Sequence, residues 1–196
     1  KASETVMNDK LKKRLKNITD FITIGVDAFE SGPFSPRGEF LPLGTHVEFI
    51  GLLDLNSNKY HWTRKFFPTT GLQEEKLVRN TELDSHFLEL DEDKVMILGC
   101  HDLNVYNRRG AANDNPNGWR HQIREEFIEI AKKKKPNIIL QHPHHTEKIT
   151  TWRDAINNMK NNLKVDGFAS AGRYDSEDKN NLSSVLESTK IGSTID

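Results

Sequence analysis

The sequence predicts an α/β fold, and three observations carry that reading. The first half of the chain holds several short apolar runs of strand type. The second half follows the order strand, helix, strand, helix, strand, which suits a layered α/β sandwich. At 196 residues the chain is long enough for one domain with a sizeable core.

Residues 1–20 are charged, but Leu11, Leu15 and Ile18 recur at helical spacing and predict a helix with one apolar stripe. Phe21 to Phe29 reads as a strand. Residues 31–44 are rich in Gly, Pro and Ser and read as a loop. His46 to Leu55 is a second strand, Asn56-Ser57-Asn58 a turn, and Tyr60 to Phe67 the returning hairpin partner. Residues 68–84 are polar. His86 to Leu90 and Val95 to Gly99 flank the acidic turn Asp91-Glu92-Asp93-Lys94 as paired strands. A long polar loop, Asn107 to Gly118, follows. Trp119 to Lys135 is an amphipathic helix with Ile123, Phe127, Ile130 and Ala131 on one face, stopped by Pro136. Its final lysines suit the negative end of a helix dipole. Asn137 to Gln141 is a buried strand, and a loop beginning at His142 follows it. Thr151 to Leu163 is a helix and Val165 to Ser170 a strand. Residues 1–174 are expected to form a single α/β domain, with 175–196 a polar C-terminal tail.

Apolar residues make up 35% of the chain, charged residues 29%, and the net charge is −1. That balance favours neither nucleic acid nor an acidic membrane surface as a partner. No apolar stretch approaches the ~20 residues of a membrane span. No signal peptide pattern opens the chain, so a cytoplasmic location is the expectation. A single cysteine excludes an internal disulfide framework and a multi-cysteine zinc site. The chain begins at Lys1 rather than Met, which fits a processed protein or a piece of a longer one.

That single cysteine, Cys100, follows the apolar run Val95-Met96-Ile97-Leu98-Gly99 and precedes His101-Asp102-Leu103-Asn104. Strands of α/β folds deliver functional side chains at their C-terminal ends. A thiol at such a rim is a candidate nucleophile, against the alternative of a buried structural cysteine. The segment from Leu88 to Leu103 resembles the nucleophile segment of the nitrilase (carbon–nitrogen hydrolase) superfamily. Upstream, Tyr60, Arg64-Lys65 and Phe66-Phe67-Pro68 are similar to that family's catalytic-lysine segment, and Lys65 lies 35 residues before Cys100. Glu74 or Glu75 falls where the family often has a substrate-positioning glutamate. Ile138-Ile139-Leu140, Pro143, Trp152 and Ala155-Ile156-Asn157-Asn158 look like the strand, proline, tryptophan and helix that follow the nucleophile.

The resemblance covers roughly residues 45–174. It implies an α-β-β-α sandwich, mixed sheets with flanking helices, and hydrolysis of a non-peptide carbon–nitrogen bond through a Cys100 thioester. Lys65 would steady the oxyanion and Glu74 would help place a small-molecule amide or nitrile, with His101, Asp102, His142 and His144 as substrate contacts. The mechanism requires no cofactor and no metal, and self-association into a homo-oligomer is compatible with it. The family's first catalytic glutamate has no recognisable counterpart here. Glu4 and Glu30 are poor substitutes, so the general base is unassigned and little or no turnover is expected of the chain as it stands.

Two further readings come from other classes. His101, His142, His144 and His145 all follow strands, and imidazoles with a carboxylate suit zinc, iron or manganese. Ile138 to His145 also looks like the strand-plus-histidine segment of calcineurin-like metallophosphoesterases, although the later Gly-His-x-His is absent. The other reading is a nitrilase-like module without catalysis. Finally, Arg108-Arg109-Gly110 and Gly118-Trp119-Arg120 flank the long loop, as anion ligands or as exposed loop residues with Trp119 a packing anchor.

Overall fold

The structure is a computed structural model that describes residues 8–29, 45–68, 76–107, 115–143, 149–170 and 193–194. Along them run α1 (Asp9–Leu15), β1 (Phe21–Phe29), β2 (His46–Asp54), β3 (Lys59–Arg64), β4 (Phe87–Leu90), β5 (Asp93–Gly99), α2 (Trp119–Lys134), β6 (Ile138–His142), α3 (Ile149–Asn162), β7 (Gly167–Ser170) and β8 (Ser193–Thr194). Short 3₁₀ turns occupy Leu83–His86 and Asp102–Tyr106.

The strands form two sheets. The first is antiparallel, in the order β1-β2-β3. The second has the order β4-β5-β6-β7-β8, with β4 antiparallel to β5 and the others parallel. Alternation along β5 explains how the layers stack. Val95 and Ile97 point toward the first sheet and meet Ile50 and Leu52. Met96 and Leu98 point the other way, into a core with Phe127 and Ala131 of α2 and Trp152, Ala155, Ile156 and Met159 of α3. A strand buried on both faces reads as one continuous apolar run, as β5 does. On the far side of the first sheet, Leu11 and Leu15 of α1 pack with Ile22, Ile24, Leu53 and Tyr60. The layers therefore run helix, sheet, sheet, helix. This is the α-β-β-α sandwich that the resemblance implies, with one mixed sheet.

Several boundaries differ from the sequence expectation. β3 ends at Arg64. Phe66 and Phe67 leave the sheet because their amides bond to the Asp102 carboxylate, and their rings enter the helix-side core. Phe66 stacks on Phe127 with centroids 4.3 Å apart. His142 closes β6, opposite Gly99, rather than opening a loop. α2 ends one residue early because Lys135 caps it in the left-handed region, at φ 54°. Arg124 is buried on the helix's inner face beside Phe127, its Nε donating to the Val105 carbonyl at 3.2 Å. Ser193 and Thr194 pair with β7 in parallel, so part of the expected tail extends the sheet. Among the described residues no helix is long and apolar enough to cross a membrane.

Candidate active site

The site is built where the two sheets face each other at the C-terminal ends of β5 and β6. Cross-strand partners in an antiparallel sheet project to the same face. Asp27 on β1 is opposite Glu48 on β2. Phe49 is opposite Arg64, so the pairing continues to Glu48 and Lys65. The Lys65 amide indeed donates to the Glu48 carbonyl at 2.9 Å. Asp27, Glu48 and Lys65 thus form a row across the first sheet.

That row looks toward the second sheet. Gly25 lies two residues before Asp27 and shares its face. A side chain begun at Gly25 would meet His142 Nδ1 at 3.2 Å. On the opposing sheet, a Cβ at Gly99 would lie 3.4 Å from the Cβ of Lys65 and 2.9 Å from Asp102 Oδ2. The stem of Lys65 therefore rests against the residue that precedes Cys100.

Lys65 is fully buried, and its Nζ donates to Glu48 Oε1 at 2.7 Å. Glu48 is buried too. Two ions removed from water lose hydration worth several kcal/mol each, which their attraction only partly offsets. An apolar pair would serve packing as well, so the charges call for another explanation. His46 Nε2 stands 3.5 Å from the same Glu48 oxygen.

Asp102 joins the two halves. Its Oδ1 accepts from the amides of Phe66 at 3.0 Å and Phe67 at 2.9 Å, and its Oδ2 accepts from Gly99 at 2.8 Å. Burial raises its carboxyl to about 6, opposed by the Phe67 amide, the Lys65 charge and the other two amides. Asp102 is fully buried, with both oxygens taken by backbone. A backbone clamp therefore replaces the substrate contact expected of it.

Cys100 is 1% exposed, directly after β5. Its carbonyl accepts from Gln141 Nε2 at 3.1 Å, and Ser170 Oγ donates to Gln141 Oε1 at 3.4 Å. The ends of β5, β6 and β7 are tied together in this way. His101 is half-buried, with Nδ1 3.3 Å from Asn104 Nδ2. His142 reaches under β1 as described. Glu4, Glu30, Glu74, Glu75, His144, His145, Arg108, Arg109 and Gly110 lie outside the described residues. Among the described residues no three His, Cys, Asp or Glu side chains converge to hold a metal. Trp119 is half-buried, with the guanidinium of Arg79 3.8 Å and that of Arg120 5.4 Å from its ring centre.

Glu48, His46 and Asp27 are the residues that sequence reasoning missed. A signal was present. In the alternating strand His46 to Asp54, Glu48 takes an inward position in step with Ile50 and Leu52. A carboxylate on the apolar face of a strand is costly without a partner.

No family model and no curated protein matches the chain. Among solved structures, the NitN amidase of Nesterenkonia sp. AN1 is 13% identical with a TM-score of 0.43, covering 87% of this chain and 58% of its own. A point mutant of the Nesterenkonia sp. AN1 amidase, with acrylamide added at its active-site cysteine, is 14% identical with a TM-score of 0.44, covering 84% and 54%. A further amidase structure from Nesterenkonia sp. is 13% identical with a TM-score of 0.43, covering 87% and 56%. The chain spans little more than half the length of these proteins. Likenesses at this level assign neither family nor activity.

Proposed function

We propose that this chain is a hydrolase of non-peptide carbon–nitrogen bonds, with Cys100 as nucleophile, Lys65 as oxyanion partner and Glu48 as general base. The observation that carries the reading is the buried Lys65–Glu48 ion pair, 2.7 Å long, with the Lys65 stem against Gly99, the residue before Cys100. Glu48 takes the place left open in the sequence reading, where no base was assigned.

The chemistry balances. Glu48 accepts the thiol proton as sulfur attacks the amide carbon. Negative charge builds on the substrate oxygen beside the Lys65 ammonium. Protonated Glu48 then gives its proton to the departing amine as the carbon–nitrogen bond breaks, leaving a thioester. Water attacks the thioester, Glu48 takes its proton and passes it to the departing sulfur, and the carboxylic acid forms. A nearby cation also favours the thiolate. Small amides and nitriles are the proposed substrates, with Glu74, His101 and His142 as candidate contacts.

The test is a panel of simple amides, nitriles and N-carbamoyl amino acids, with iodoacetamide labelling of Cys100 alongside. Turnover of at least one compound is expected. Cys100→Ser should abolish it, Glu48→Gln should lower it about a hundredfold or more, and a chelator should leave it intact. A flat panel together with an unlabelled native thiol would leave only a non-catalytic module. Phosphoesterase activity lost on chelation and kept in Cys100→Ser would select the metal-dependent reading.

A further inference from the structure

We propose that His46 is a positioning residue for the Glu48 carboxylate, holding the oxygen that Lys65 also binds. This rests on the hydrolase reading above and extends it to a residue outside the nucleophile, lysine and base. His46 and Glu48 are two residues apart on β2, so both project inward on one face. Glu48 Oε1 lies between Lys65 Nζ at 2.7 Å and His46 Nε2 at 3.5 Å. One carboxylate oxygen thus has both a cation and an imidazole beside it.

The imidazole is itself well placed. The His46 carbonyl accepts from the Val78 amide at 2.8 Å, and His46 forms a parallel bridge with Leu77. On its other flank His46 is opposite Phe29 of β1. A backbone held from both sides leaves the ring little freedom to drift. Exposure is also graded, at 0% for Lys65, 5% for Glu48 and 9% for His46.

The physical need is clear from the mechanism. A carboxylate bonded to an ammonium alone is drawn toward that ammonium and away from the thiol whose proton it must take. A second group on the same oxygen fixes the carboxylate's rotation. Misplacement by about 1 Å costs a positioned group about a hundredfold in rate.

The experiment uses the full chain and two readouts. One is the alkylation rate of Cys100 by iodoacetamide. The other is kcat and KM on whichever amide the panel turns over. His46→Gln places an amide N–H near the former Nε2, and His46→Leu removes the polar group while filling the space. His46→Leu is expected to slow alkylation and kcat about tenfold with KM unchanged, and His46→Gln to restore most of the rate. In a Glu48→Gln background, His46→Leu should have no further effect. Wild-type rates in His46→Leu, or an equal loss in both backgrounds, would overturn the proposal. Alkylation needs no turnover, so the role of His46 is read even where the panel stays flat. A flat panel with the expected alkylation pattern counts against the hydrolase reading and supports the positioning one.

Discussion

The two faces of the second sheet are built to different rules. The helix-side face is closed. Met96, Leu98, Ile139 and Phe168 meet α2 and α3, and Phe66, Phe87 and Phe127 stack in one aromatic group. The face toward the first sheet is thinner, with Ile50 and Leu52 against Val95 and Ile97. It also leaves a cavity of about 580 Å³, walled by Phe21, Leu52, Val95, Ile138 and Leu140 among others. The charged row Asp27, Glu48 and Lys65 also stands on this side, whereas Cys100 belongs to the helix-side core. One face holds the fold together while the other carries groups that cost stability, as sites commonly do.

The sharpest test of that contrast sets Phe127→Ala beside Leu52→Ala. Phe127 is fully buried against Phe66 and Phe87, so its removal should cost about 3–5 kcal/mol. Leu52 already borders a cavity, so its loss should fall at the lower end of the usual Leu→Ala range, about 2–3 kcal/mol. Denaturant midpoints read both. Equal costs would erase the distinction between the faces.

The charged row offers a second test. Lys65→Met alone strands Glu48 in the interior and should cost about 3–5 kcal/mol. Glu48→Leu combined with Lys65→Met should recover most of that loss or exceed wild-type stability, while thiol reactivity stays low. A double variant as unstable as the single would show that the pair holds the sandwich together.

Gly99→Ala probes the junction of the two halves. The new methyl would lie 2.9 Å from Asp102 Oδ2, on the oxygen that accepts the Gly99 amide. A loss of about 1–3 kcal/mol is expected, with slower alkylation of Cys100. Unchanged labelling would mean that the junction does not govern the site.

The smallest effect concerns pH. Burial lowers His86 from its ordinary 6.5 to about 4, and its Nδ1 lies 2.6 Å from the Ile97 carbonyl. The unfolded chain binds the proton more readily between those values. The stability of neutral His86 is therefore full above pH 6.5 and is lost as pH falls toward 4. Asp102, raised to about 6, acts in the opposite sense, and stability falls as pH rises from 3.8 through 6. His86→Asn removes only the first effect. Its stability difference from wild type should shrink by about 1–2 kcal/mol between pH 7 and pH 5. A constant difference would mean that His86 is not buried as a neutral ring.

Legibility in the sequence follows the same division. Most strands and both long helices announced themselves, because a face buried against an apolar neighbour imposes period 2 or 3.6 on the residues. Cys100 and Lys65 stood out as candidates through local motifs. Glu48 did not, since its meaning depends on Lys65 standing opposite it across a hairpin. Register of that kind is set by pairing, and a linear scan does not show it. Asp102 was legible as a residue of interest but not in its role, because its partners are backbone amides, which carry no side-chain signature. Phe66 and Phe67 looked like strand residues and became core aromatics once those amides turned to Asp102.

The three bonds of Asp102 carry a consequence for how this site can change. They fasten the chain just after Lys65 to the chain just before Cys100, main chain to main chain through one carboxylate. The main-chain spacing between positions 65 and 100 is therefore independent of which side chains occupy them. A serine, a selenocysteine or an arginine could be installed at either position and would inherit the same separation. Under the proposed reading, changes of nucleophile can be compared without a change of frame.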